Sequence, residues 1–255
     1  MKMIEDKYYL QYENLVGSQI PLLLETFDIS EKNTDFGYKT QASAVYSSNI
    51  EGNSIDLNSF MNYKLSPKNL KAHKEIQEIE NLVEAYEFAQ NNKLSEKNFL
   101  KCHKIFSKTL LTLTNRGKYR NEKVGVFGQS GLVYLAIEPE FVTTTMKDFF
   151  KYVETLLQKD LSKSETFYYA SFIHLKFVHI HPFRDGNGRA ARLLEKWFLT
   201  EKISNDLWKL SSEKYYKEHQ IEYYSNINLG VNFYELNYDN CMPFLTMLPK
   251  AINYS

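Results

Sequence analysis

Apolar residues recur at the 3.6-residue period of a helix along most of this chain, and the pattern fails at one clear place, residues 123–136. That regularity predicts an all-α fold carrying one local β feature. The 10 glycines and 6 prolines in 255 residues fall below the roughly 7% and 5% of ordinary chains. Such a shortage argues against a turn-rich sandwich, a collagen or a disordered linker. With aromatics at 15%, including 19 Tyr and 17 Phe, the chain has ample material for a packed interior. No self-similar period suggests a repeat array.

The spacing predicts a helix over 10–24 interrupted near Pro21, and another over 38–51 that stops at Gly52, a residue favoured just past helix ends. Residues 56–63 add a short turn. A long amphipathic helix over 69–91 carries Ile76, Ile79, Val83 and Tyr86 on one stripe. Ser95 is placed to cap a helix whose stripe is Phe99, Cys102, Ile105, Phe106 and Leu110. The next covers 138–159, with Pro139 in its first turn and Val142, Met146, Phe149, Val153 and Leu156 inward. Helices over 164–179, 189–201, 213–228 and 239–252 complete the set. In 123–136, two β-rich runs containing Val124 and Val126, then Leu132 and Val133, flank Gly128-Gln-Ser-Gly131 and read as a hairpin. A lone hairpin is marginal and leaves open backbone edges, so it must pack on or pair with something.

Lys plus Arg and Asp plus Glu both number 31, so no global field attracts nucleic acid or an anionic membrane. Residues 1–10 lack the apolar stretch of a signal peptide. The most apolar stretch, 167–183, is broken by His174, Lys176, His179 and His181, short of a ~20-residue membrane span. Two distant cysteines, Cys102 and Cys241, suit a reducing compartment. The expectation is a soluble, cytoplasmic protein. His174, His179 and His181 lack a matching carboxylate pattern and make a weak zinc candidate.

The chemistry gathers in His181-Pro-Phe-Arg-Asp185-Gly-Asn-Gly188-Arg189-Ala-Ala-Arg192. Pro182 disfavours helical geometry at His181, so one helix should end there, and the next begins near Gly188. Amides at that second start make an anion site suited to phosphate. Arg189 and Arg192, three apart, share a face in what the spacing takes as the first turn, where a cation is penalised by roughly 0.3–1 kcal/mol until an anion arrives. Asp185 beside a phosphate is a natural Mg²⁺ ligand. His181 can be neutral near pH 7 and accept a proton. Taken singly, each of these residues reads more simply as structural: a histidine at a helix end, a turn, a solvated face.

Together they match His-x-Phe-x-Asp/Glu-Gly-Asn-Gly-Arg-x-x-Arg at every specified position, and on this motif the chain resembles the Fic family. The resemblance extends over roughly residues 65–250, taking in Gly117-Lys-Tyr119-Arg120 before the hairpin and Asp239-x-x-x-Pro243-Phe244 near the end. It implies a Fic-type helical bundle with one β-hairpin flap, and transfer of AMP from Mg²⁺-ATP to a Ser, Thr or Tyr hydroxyl of a protein. His181 would be the general base and Asp185 the metal ligand. Gly186, Asn187 and Gly188 would cradle phosphates, Arg189 would support them, Arg192 would hold the γ-phosphate, and Phe183 would anchor the loop. Val124, Val126, Leu132 and Val133 would belong to a target-binding flap. The kinase branch of the family generally alters Gly-Asn-Gly, which is intact here.

Upstream, Ser47-Ser-Asn-Ile-Glu51-Gly52 closes the helix over 38–51, with Glu51 at the negative end of the helix dipole. The segment resembles the inhibitory motif Ser/Thr-x-x-x-Glu-Gly/Asn of Fic proteins whose inhibitory helix precedes the core. By that resemblance Glu51 would pair with Arg192 and misalign ATP. Residues 1–64 are then an N-terminal helical region with the inhibitory helix at about 38–52, and 65–255 a catalytic core with its flap at 123–136, the two forming one compact unit. Removal of AMP from a modified protein, and nucleotide sensing without transfer, are the alternative readings. Self-modification and a homodimer stay open.

Overall fold

The computed structural model describes residues 6–31, 35–66, 73–128 and 131–254. Helix α1 (Tyr9–Leu15) leads through a short 3₁₀ turn into α2 (Ile20–Glu31), and the break falls at Val16 (φ −143°), not at Pro21. Pro21 sits in the first turn of α2, where the missing N–H would have had no intrahelical partner, so it starts a helix instead of interrupting one. Helix α3 (Phe36–Ile50) begins where Asp35 accepts from the Tyr38 amide, and α4 (Leu57–Leu65) where Asp56 caps Ser59. Helix α5 (His73–Gln90) turns Ile76, Ile79, Leu82 and Tyr86 inward, with Leu82 buried more fully than the expected Val83. The expected start of that helix, residues 69–72, lies outside the described residues. Ser95 caps α6 (Glu96–Phe106) as its spacing requires, and Pro139 opens α7 (Pro139–Gln158).

Helix α8 (Lys163–Ile180) is the hub. Every residue from Thr166 to Ile180 is buried, and a capping box of Ser162 and Glu165 closes its start. It packs against α9 (Asn187–Lys202), whose Leu193, Leu194, Trp197 and Phe198 are buried as well. The helix expected over 213–228 is two, α10 (Ser212–Glu218) and α11 (Gln220–Ile227), parted at His219. That over 239–252 is likewise broken, into 3₁₀ turns and the one-turn helices α12 (Met242–Leu245) and α13 (Met247–Lys250). Pro243 and Pro249 withhold the amides that a continuous helix would need. None of the described helices is long and apolar enough to cross a membrane.

Strands β1 (Gly125–Gly128) and β2 (Gly131–Leu135) form the antiparallel hairpin, whose turn residues 129–130 lie outside the described residues. The hairpin is pinned to the end of α8. Tyr134 donates to the His179 carbonyl at 2.6 Å, and buried Arg120 donates to the carbonyls of His181 (2.7 Å), Ile137 (2.6 Å) and Glu122 (2.8 Å). The last carbonyls of α8 lack helical partners, and these side chains supply them.

Helix α3 ends in a two-bond Schellman closure: the Asn53 amide donates to Ser48 (3.1 Å) and the Gly52 amide to Asn49 (3.1 Å). Gly52 has φ +94°, and no atom lies within 4 Å of the place a Cβ would take. Gly52→Ala should therefore lower stability by about 1 kcal/mol through backbone strain alone, read as a shift of the urea midpoint at constant slope. An unchanged midpoint would show that the closure tolerates a side chain.

Candidate active site

Three helix ends meet at the site: the C-terminus of α8, the N-terminus of α9 and the C-terminus of α3. His181 follows α8 in a left-handed conformation (φ 51°), held by its amide to Phe177 (3.0 Å) and by Arg120 on its carbonyl. Its ring Nδ1 stands 3.2 Å from the Val178 carbonyl. A carbonyl can only accept, so the proton is on Nδ1 and Nε2 keeps its lone pair. Burial lowers the His181 pKa below 6.5; the Val178 bond opposes this, and Arg120 adds to the lowering. The ring is thus neutral at pH 7.

Phe183 is fully buried and stacks on His103 with centroids 3.6 Å apart, with Tyr119, Phe99 and Phe177 around it. Asn187 locks the same residue from the other side, Oδ1 accepting from the Phe183 amide and Nδ2 donating to its carbonyl, each at 2.9 Å. The Asn187 side chain is therefore a loop clamp, and what this residue offers an anion is its helix-start amide. Gly186 adopts φ +83°, where a Cβ would come within 2.7 Å of the Phe106 ring, so only glycine fits. Asp185 is exposed and one carboxylate oxygen accepts from the Gly186 amide at 2.6 Å.

Asp185 suits a magnesium ion: a single hard carboxylate next to an anion site leaves phosphate oxygens and water to complete the shell. No three His, Cys, Asp or Glu side chains among the described residues gather as a metal cage.

Arg189 and Arg192 depart from the spacing argument. Helix α9 starts at Asn187, so only Arg189 is in its first turn and Arg192 lies in the second. Arg189, 6% exposed, is ion-paired with Glu78 of α5, while its Nε is buried without a hydrogen-bond partner among the described residues. Arg192, 1% exposed, donates Nε to the Ser47 hydroxyl (2.9 Å) and Nη2 to the Ser47 carbonyl (2.9 Å) and Glu51 Oε1 (2.7 Å).

Helices α3 and α9 thus meet along a polar seam with a four-residue repeat: Ser43 with Lys196 (2.8 Å), Ser47 with Arg192, and Glu51 beside Gly188. A Cβ on Gly188 would collide with the Glu51 carboxylate, so that carboxylate lies directly on the anion-binding helix start. Burial raises the Glu51 pKa, but Arg192, then Arg189 and His181, outweigh it and hold the carboxyl below the usual value. The α3 end is fixed from behind as well: Lys217 donates to Asn49 O (3.1 Å), and Gln220 (2.7 Å) and Tyr224 (3.0 Å) donate to Ile50 O.

In the hairpin, Val126 and Leu132 are exposed, Val124 and Val133 half-buried. Val126 pairs with Tyr134, and Val133 is the residue that the bulge between Val126 and Phe127 leaves over. Beyond β2, Leu135 donates to Val231 (3.0 Å) and accepts from Phe233 (3.1 Å), so that edge is partly covered. Gly125, paired with Leu135, turns its own N–H and C=O to the opposite, open side.

His103, Glu78 and Tyr223 were not singled out by sequence, and Arg120 was named only as part of the segment before the hairpin. His103 offers a signal in retrospect, a histidine inside an apolar stripe. Its Nδ1 accepts from the Gly117 amide (2.9 Å), so Nε2 donates to the Asp185 carbonyl (3.1 Å), and burial pushes its pKa down to about 4. His174 and His179 lie on the core helix with both ring nitrogens hydrogen-bonded, His179 to Tyr238 and Ile227 (both 2.8 Å).

Residues 93–199 match the model of the Fic/DOC family. Protein adenylyltransferase Fic of Nematostella vectensis is 38% identical over 78 residues, which are 31% of this chain and 16% of that protein. The same-named protein of Drosophila persimilis is 69% identical over 26 residues, 10% of this chain and 5% of that one. The matched segments therefore span a small part of these relatives. A crystal structure of a Fic family protein from Desulfovibrio desulfuricans superposes with TM-score 0.77 at 22% identity, covering 98% of this chain and 72% of that one. Fic-1 from C. elegans gives 0.66 at 20%, covering 92% and 68%.

Proposed function

The chain is a Fic family protein, and from that premise we propose that it transfers AMP from Mg²⁺-ATP to a Ser, Thr or Tyr hydroxyl of a protein, and that Glu51 inhibits the transfer. The observation carrying this reading is the Glu51 carboxylate lying on the α9 helix start, 2.7 Å from Arg192. A carboxylate there occupies the place of a phosphate and engages the guanidinium that would grip it.

With Glu51 withdrawn, the target hydroxyl oxygen bonds to the α-phosphorus, the bond from that phosphorus to the bridging oxygen breaks, and pyrophosphate leaves. His181 Nε2 takes the hydroxyl proton. The amides of Asn187 and Gly188, with Arg189 and Arg192, offset charge growing on the phosphate oxygens, the Gly186 amide being held by Asp185. Asp185 would hold the magnesium ion, which supplies further charge neutralisation when bound. Residues 1–64 act as the regulatory segment and 65–255 as the catalytic core, in a cytoplasmic setting. The Glu51→Gly protein, incubated with Mg²⁺-ATP and a cell lysate, should leave one AMP on a Ser, Thr or Tyr side chain, detected by mass spectrometry. Phosphate alone on those side chains would overturn the reading.

The target is proposed to lie extended along β1, because Gly125 presents backbone groups there that pair with none of the described residues. Gly125→Pro should reduce protein modification while leaving ATP affinity within about two-fold, since proline removes an outward amide and no ladder bond, and its Cβ collides only with the tip of the Leu132 side chain. Val126→Pro, by contrast, strikes the amide facing Tyr134 and should open the hairpin. Equal loss of both functions in Gly125→Pro would make the hairpin purely structural.

A further inference from the structure

Arg192 is gripped from behind by a buried polar chain that runs away from the phosphate site. Its Nη1 donates to the Tyr223 hydroxyl at 3.2 Å. That hydroxyl lies 2.9 Å from His174 Nε2, His174 Nδ1 lies 2.8 Å from Glu195 Oε2, and the Tyr216 hydroxyl lies 3.1 Å from both Glu195 oxygens. None of these five side chains belongs to a residue more than 1% exposed.

Their chemistry fixes the direction of every bond. A guanidinium only donates, so the Tyr223 oxygen accepts from Arg192 and has its single proton left for His174. The Glu195 carboxylate only accepts, so a neutral His174 ring carries its proton on Nδ1 and its Nε2 takes the Tyr223 proton. A buried histidine and carboxylate cost desolvation that apolar side chains of similar size would not, so packing alone gives no reason for them. An arginine side chain also loses much rotamer freedom on being fixed, and fixing it in advance removes that cost from ligand binding.

We infer that Tyr223, His174 and Glu195 form a positioning relay that sets the Arg192 guanidinium for the γ-phosphate of a nucleoside triphosphate. The inference rests on the proposed role of Arg192 as the γ-phosphate grip and assigns three residues to it. The relay selects triphosphate over diphosphate, because only the γ-phosphate meets the group it holds.

Two measurements test it. In the Glu51→Gly background, calorimetry with Mg²⁺-ATP and Mg²⁺-ADP should show Tyr223→Phe weakening ATP by about ten-fold and ADP by less than about two-fold, the loss expected of one charge-assisted hydrogen bond. Equal weakening of both nucleotides, or of neither, would overturn the relay. In the unaltered protein, ¹⁵N shifts of the His174 ring should report protonated Nδ1 and an unprotonated, hydrogen-bonded Nε2. Protonated Nε2 would reverse the bond to Tyr223 and overturn it as well. If Glu51→Gly binds ATP no better than ADP, the γ-phosphate role of Arg192 is what fails, while the ring shifts still decide whether the relay exists.

Discussion

His181→Ala is expected to cut AMP transfer by the Glu51→Gly protein about 10²–10⁴-fold, the usual contribution of general base catalysis, with ATP affinity nearly unchanged. The two effects separate because His181 Nε2 serves the target hydroxyl, while the phosphates are met by amides and guanidinium groups. The pH profile should carry the same signature. The neutral ring is the active form and its pKa lies below 6.5, so transfer should be level above pH 7 and fall as acid protonates Nε2 below the ordinary imidazole value. Removing Glu51, which favours the protonated ring, lowers that pKa further and shifts the fall to still lower pH. Undiminished labelling by folded His181→Ala would remove this residue from the chemistry.

Glu51→Gly is expected to raise transfer by roughly 10–100-fold, the release of one charge-assisted hydrogen bond between guanidinium and carboxylate. Glycine also clears the carboxylate from the face of Gly188, where phosphate would lie. If the pair merely stabilised the fold, the variant would unfold more easily and gain no activity. The other contacts to the α3 end, from Lys217, Gln220 and Tyr224 to backbone carbonyls, do not involve the Glu51 side chain and should keep the helix in place. Initial rates with any modified protein, the chain itself included, check this expectation.

The loop from His181 to Arg192 was readable because its chemistry is contiguous: Pro182, two glycines and the charges fall within twelve positions. The helix starts at Ser95 and Pro139 were readable for the same reason, each being a local device, whereas Asp35 caps an α3 that opens two residues before the expected 38. What holds the loop was not. His103 reaches Asp185 across 82 residues, Arg120 reaches His181 across 61 and Arg189 reaches Glu78 across 111. Such pairs leave no trace in periodicity. Asn187 was placed near phosphate, yet its side chain serves Phe183, because backbone groups inside a buried loop need partners and the amide supplies one donor and one acceptor. A helix starting at residue 189 has Arg192 in its first turn; the structure starts α9 two residues earlier, at Asn187, which puts Arg192 in the second turn, within reach of Ser47 and Tyr223. Pro21 and the broken helices after residue 212 show the limit of the helical period, which registers apolar faces but not where a backbone bond is missing.

The central claim is that one guanidinium serves either Glu51 or the γ-phosphate. ATP dissociation constants for four proteins, the unaltered chain, Glu51→Gly, Arg192→Ala and the double variant, test it as a cycle. Glu51→Gly is expected to tighten ATP about ten-fold when Arg192 is present and to change it by less than about two-fold when residue 192 is alanine. Equal tightening in both backgrounds would mean that Glu51 obstructs ATP by its bulk or charge alone, and would contradict the claim.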